Sequence, residues 1–182
     1  SRSCECAIRF ASRLARSLHS RLSIFHMLPV PPVPKYTRSD YTADATRARK
    51  RLESFYEGYL KDSDHDYLLR PGAVPALEIR HAAIDRHADL IVMGSHTKDA
   101  SGKWYPGSAV ERVSHMADCP VIVITDPGVL MHWNGVAAGD DGQNKDRSIH
   151  LFTKTSTYHL NKLREILVVG VSKAIPDNRL LG

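Results

Sequence analysis

Residues 89–125 read DLIVMGSHTKDASGKWYPGSAVERVSHMADCPVIVIT. The apolar run from Leu90 to Met93 is short and stops at Gly94, so it reads as a buried strand, and Val121 to Thr125 reads as a second one. Between them lie a polar loop and a short helix, Ala109 to about Met116, opened by Gly107-Ser108. A strand-loop-helix-strand unit of this kind sets its loop beyond the carboxyl end of a strand, where open α/β sheets receive ligands.

The loop has the parts needed to hold an anion. Gly94 lets bare backbone turn off the strand and approach a ligand, and Gly107 does the same at the far end. Ser108 is a good N-cap with Glu111 three residues on as its capping-box partner. The helix that follows points unpaired N–H groups and the positive end of its dipole toward the loop. Ser-x-x-Glu also caps many helices that bind nothing, so the spacing of the glycines has to carry the reading further.

Gly94, two residues, Thr97, nine residues, then Gly107-Ser108 resembles the G-x2-G-x9-G-[S/T] phosphate and ribose loop of the universal stress protein family. The flanking words ADLIVMGSH, GSAVERV and ADCPVIVI are similar to that family as well. Thr97 stands where the nucleotide-binding branch carries its second glycine, and the family has members that do not bind ATP. The resemblance implies a Rossmann-like α/β fold, an open parallel five-stranded sheet with helices on both faces. It also implies binding of ATP or another adenine nucleotide, with or without Mg, in a regulatory or stress-response role. The implied site residues are Met27, Gly94, His96, Thr97, Lys98, Gly107, Ser108 and Ala109, with Met27 offering backbone to adenine. The alternative it carries is a module that binds no nucleotide and acts through dimerisation. Its surface would be Val121, Ile122, Val123 and Ile124, the strand that in the family pairs across a homodimer as an exposed edge.

The rest of the chain fits the same architecture. Ser3 to Leu18 is an amphipathic helix, with Ala7, Phe10, Ala11, Leu14 and Ala15 on one side and Arg9, Arg13 and Arg16 on the other. Leu22 to Met27 is a strand, and PVPPVP from Pro29 to Pro34 is expected as a loop, since proline lacks the N–H that a helix or a central strand needs. Thr42 to Leu60 is a long helix, Tyr67 to Arg70 a strand, Pro71-Gly72 a turn, and Val74 to His87 a helix with Pro75 in its first turn. Alternating strands and helices argue a parallel sheet with right-handed crossovers.

The first helix looks like the one that follows the family's first strand, so that strand and its adenine-contacting aspartate are missing ahead of Ser1. Near the other end, Ile166 to Val171 (ILVVGV) looks like that first strand. It begins a second repeat, fills the empty slot in its own chain, or fills it in a neighbour by strand exchange. An empty central slot would leave unpaired backbone groups and apolar faces exposed, which favours filling. The expected organisation is therefore 1–126 as the domain, 127–164 as a linker or extension with a short strand near His150 to Lys154, and 165–182 as the completing strand or the start of a repeat.

Composition sets the outer bounds. A chain of 182 residues with 42% hydrophobic and 25% charged residues is an ordinary globular domain with an appendage. Its net charge of +5 is scattered over helices rather than gathered into a basic module interleaved with aromatics, so nucleic acid is not an expected partner. No apolar run approaches the ~20 residues that span a bilayer, and no secretory signal precedes the first helix, so no membrane partner and a cytoplasmic location are expected. Cys4, Cys6 and Cys119 have neither metal nor disulfide spacing and read as packing residues. No paired carboxylates or Ser-His-Asp set can be assembled, so slow ATP hydrolysis, which would lack an identifiable base, is the most that catalysis could amount to.

Overall fold

The computed structural model describes residues 2–30, 37–95, 97–98, 104–105, 108–124, 149–152 and 163–170. The elements in chain order are α1 (Arg2–Leu18), β1 (Arg21–Pro29), α2 (Arg38–Leu60), β2 (His65–Gly72), α3 (Pro75–Asp85), β3 (Leu90–Gly94), β4 (Thr97–Lys98), β5 (Trp104–Tyr105), α4 (Ser108–Met116), β6 (Val121–Ile124), β7 (Ile149–Phe152) and β8 (Glu165–Val169).

Five strands run parallel in the order β2-β1-β8-β3-β6, and β7 joins the outer side of β6 antiparallel. The central position belongs to β8, which pairs with β1 from Arg21↔Glu165 to Phe25↔Val169 and with β3 from Leu90↔Ile166 to Met93↔Val169. The run from Ile166 thus completes the sheet within its own chain. Its entry is tied from both sides. Arg21 N–H donates to the Arg164 carbonyl at 2.8 Å and the Ser20 hydroxyl to the Leu163 carbonyl at 2.7 Å, while Asp89 Oδ2 accepts the amides of Arg164 at 2.7 Å and Glu165 at 3.1 Å.

Because side chains alternate along a strand, a sheet covered on both faces needs apolar residues at every position. Leu22, Ile24, Leu90, Val92, Ile166, Val168, Ile122 and Ile124 pack with α1 and α2 on one face. Phe25, Ile91, Met93, Leu167, Val169, Val121 and Val123 pack with α3 and α4 on the other. The α1 stripe of Ala7, Phe10, Ala11, Leu14 and Ala15 is buried while Arg13 and Arg16 are exposed, as its periodicity requires. Cys4 and Cys6 are buried.

The structure departs from the sequence reading at several boundaries. α2 begins at Arg38 because Thr37 and Asp40 form a capping box, four residues before the expected start. β1 runs through Pro29 and β2 through Pro71 and Gly72, with Leu28↔Pro71 and Pro29↔Gly72 as the last pairs. Proline is tolerated at the end of β1 because β8 stops pairing at Phe25, so the missing N–H of Pro29 deprives no neighbour on that side. The loop after Gly94 contains a small antiparallel ladder, Thr97↔Tyr105 and Lys98↔Trp104. The strand Val121–Ile124, expected as an exposed edge, is instead paired on both sides, with β3 and with β7, and all four of its residues are buried. Residues 31–36, most of the proline-rich stretch, lie outside the described residues, as do residues 125–148 of the extension.

If β8 is seated as described, Ile166→Ala should cost about 2–5 kcal/mol, the range for truncating a fully buried aliphatic side chain. Phe55→Ala, at a position 56% exposed on α2, should stay within about 0.5 kcal/mol of wild type. Urea unfolding of the two variants checks this, and equal effects would mean that β8 does not occupy the centre of the sheet in solution.

Candidate functional site

All five parallel strands end on the same side, and one row crosses the sheet there: Leu68, Phe25, Val169, Met93 and Val123 are successive register partners. One step beyond lie His26 on β1, Gly170 after β8, and Gly94 on β3 opposite Ile124. Two backbone bonds finish this edge, from Gly170 N–H to the Phe25 carbonyl and from Ser95 N–H to the Ile124 carbonyl, each 2.9 Å. The same edge receives the amino end of α4, since α4 follows β3 and leads back to the start of β6.

The sequence-predicted residues distribute over this edge as follows. Met27 is half-buried near the end of β1, opposite Arg70 of β2, whose guanidinium is engaged by Asp85 at the end of α3. Gly94 closes β3 and is buried. α4 starts at Ser108, one residue earlier than expected, so Ser108 is its first helical residue rather than its cap and is exposed, while Ala109 is half-buried. Thr97 and Lys98 form β4. His96 and Gly107 lie outside the described residues. The structure therefore brings Met27 and Gly94 to one edge across Gly170.

His26, next to Met27 on β1, has a partner across the sheet. It is buried, and Nδ1 lies 3.1 Å from the Gly170 carbonyl oxygen. A carbonyl only accepts, so Nδ1 carries the hydrogen and Nε2 is the bare nitrogen of the neutral ring. Burial pulls the imidazole below its ordinary value of 6.5, partly offset by the bond to Gly170. A side chain at Gly170 would begin 3.6 Å from the Tyr56 hydroxyl, and burial pushes that phenol well above its ordinary range. Both groups beside Gly170 are thus neutral near pH 7. No local motif could have announced this pair, because His26 and Gly170 are 144 positions apart.

An opening also lies at the other end of the sheet. An open groove of about 710 Å³ runs beside the end of α2 and the start of β2, with Glu53, Glu57 and Asp62 in its lining. Three carboxylates repel phosphate, so size alone does not make this groove the anion site. Tyr67 in its wall is pushed up to about 12, first by burial and then by Glu53. Burial likewise pushes Cys119 up to about 11, so its thiol is not a ready nucleophile. Among the described residues there is no cluster of three metal-ligating side chains, and no helix is long and apolar enough to cross a membrane.

Comparison with known proteins gives a consistent result. The profile of the Universal stress protein family matches residues 1–125. A universal stress protein of Thermus aquaticus, encoded in the 3' region of a QAH/OAS sulfhydrylase, is 33% identical over 122 residues, covering 65% of this chain and 87% of the relative. A universal stress protein of Methanocaldococcus jannaschii is 46% identical over 54 residues, covering 30% of this chain and 32% of the relative. Among solved structures, a universal stress protein from Archaeoglobus fulgidus superposes with a TM-score of 0.53 at 25% identity, covering 68% of this chain and 90% of that one.

The depressed imidazole makes a measurable claim. An NMR titration of the folded protein should place the His26 midpoint below 6.5 with the Nδ1–H tautomer dominant above it. By linkage, the stability that His26 contributes is present above 6.5 and is lost as pH falls through the folded midpoint. A midpoint at or above 6.5 would show the ring to be solvated rather than locked against β8.

Proposed function

Since the chain belongs to the universal stress protein family, we propose that it binds an adenine nucleotide at the carboxyl edge of the sheet and acts as a regulatory, stress-response module. The observation that carries the reading is topological: β3 ends at Gly94, which has no side chain to block close approach, and α4, returning from that edge to the start of β6, has its amino end on the same edge where the parallel strands end. Backbone N–H groups at the start of α4 and the exposed Ser108 hydroxyl would take phosphate and ribose oxygens. Met27 backbone would flank the base. The G-x-x-T spacing and Gly107-Ser108 of the sequence supply the remaining contacts, with His96 and Lys98 as candidate phosphate partners.

ATP is the nucleotide we favour. A magnesium ion would accompany its phosphates rather than bind a protein cage, because the described residues offer no cluster to hold one. Binding would order the loop after β3 and shift its open and closed populations, which is a signal without chemistry.

One observation favours the second reading, a module that signals by association without nucleotide. Thr97 sits in β4 opposite Tyr105, so the backbone at the position of the family's second glycine belongs to a short ladder. Homodimerisation through β6 would require β7 to leave its place, so a dimer that retains β7 needs another surface.

Ser108→Asp separates the readings. An acidic residue in the first turn suits the helix dipole, so folding should be kept while a phosphate is repelled. Calorimetric titration of ATP should show wild-type binding and at least a tenfold weaker affinity in the variant, about 1.4 kcal/mol or more. Equal affinities would remove the α4 terminus from the site, and absence of heat from ATP, ADP and AMP with the wild type would leave the assembly reading.

A further inference from the structure

We propose that Glu165, at the entry of β8, is the carboxyl that takes up a proton and then shares hydrogen with Asp66 through the Ser23 hydroxyl, so that the central strand is seated more firmly in acid than in base. The starting point is a count of protons. Ser23 is fully buried, and its Oγ lies 3.0 Å from Asp66 Oδ1 while also contacting Glu165 Oε1. A hydroxyl has one hydrogen to give. With both carboxyls ionised only one of the two contacts can be a full hydrogen bond, and a proton on one carboxyl supplies the second hydrogen.

The surrounding charges decide which carboxyl holds it. Asp66 Oδ2 is 2.8 Å from the Arg86 guanidinium and 3.3 Å from that of Arg21. Among the described residues no cation reaches ion-pairing distance of Glu165. Negative charge therefore belongs on Asp66, and the chain of donors runs from the Glu165 carboxyl to Ser23 Oγ and from Ser23 Oγ–H to Asp66. The groups that face this chain are Arg21 on β1, Asp66 on β2, Arg86 after α3, and Asp89 before β3, which accepts the amides of Arg164 and Glu165.

The titration of Glu165 agrees with the geometry. Burial raises it above its ordinary value of 4.5 and Asp66 pushes the same way, against Ser23, Arg21 and Arg86. The Ser23 contact favours an ionised Glu165 only if Ser23 donates to it, and that hydrogen is directed to Asp66 in the arrangement proposed. The sign follows from linkage. A carboxyl whose folded value lies above 4.5 contributes stability that is complete below 4.5 and is lost as pH rises through the folded value. This device does not depend on whether a nucleotide binds at the other end of the strand.

Two measurements on the full chain test it. Carboxyl-carbon NMR of the wild-type protein should give Glu165 a midpoint above 4.5. Urea unfolding of wild type and Glu165→Gln should be compared at about pH 4, below the ordinary carboxyl value of 4.5, and at about pH 8. The glutamine keeps a donor for Ser23 and cannot ionise. The wild type should lose more stability than the variant over that interval, about tenfold more in the unfolding constant for each unit by which the Glu165 midpoint is displaced. Taking the difference between the two proteins cancels the histidines common to both. A Glu165 midpoint at or below 4.5, or equal pH dependence in the two proteins, would overturn the proposal. Should Glu165→Gln fail to fold, the wild-type titration decides alone.

Discussion

A parallel sheet with apolar faces on both sides cannot tolerate a gap in its middle. Each strand beside the gap would present a row of unsatisfied N–H and C=O groups away from water, and the helices above and below would lose the surface on which they pack. In this chain the middle is β8, hydrogen-bonded to β1 on one side and β3 on the other. Its residues Ile166 and Val168 join one core and Leu167 and Val169 the other. Through β8 the two halves of the sheet become one row, and on that row depends the alignment of the edge where Met27 and Gly94 lie. The candidate site is therefore a consequence of a strand supplied from far along the chain.

Much of this was legible. Period and length marked α1, because Ala7, Phe10 and Leu14 bury one side of it, and length marked α2, where Leu52 and Tyr56 are buried while the neighbouring Phe55 is exposed. The apolar runs at Leu90, Val121 and Ile166 marked three strands buried on both faces. The spacing from Gly94 to Ser108 marked the loop and, through the resemblance it carries, the family. What was not legible depends on distance along the chain. Nothing local in the sequence could show that β7 covers β6, since pairing of Val121 with Phe152 is a property of the assembled sheet. The same holds for His26 with Gly170 and for Ser23 with Asp66 and Glu165. Each of these residues carries a polar group whose partner is fixed by register alone. Boundaries failed for a smaller reason. Proline at the end of β1 breaks a local rule, yet the rule concerns a donor that no neighbour requires there.

The two ends of the sheet differ in electrostatic character. At the carboxyl edge stand the amino end of α4, a neutral imidazole and a neutral phenol. At the amino edge stand Asp89, Asp66 with its partners Arg21 and Arg86, and, alongside, the carboxylates of the α2 groove. An anion is favoured at the first and opposed by the groove carboxylates at the second. The groove's volume therefore does not make it the phosphate site, because a desolvated like charge is costly.

The central strand is also gripped at its two ends by groups that titrate in opposite senses. Beyond its last residue, the Gly170 carbonyl accepts from a buried His26 whose stabilising effect fades as acid charges the ring. At its first residue, Glu165 leans on Ser23 in a contact whose effect fades as base removes the proton. Acid therefore loosens the end nearest the candidate nucleotide edge, and base loosens the end nearest the acidic cluster. Since β8 is one short strand paired on both sides, loosening at either end is transmitted to its neighbours β1 and β3 together rather than to one of them.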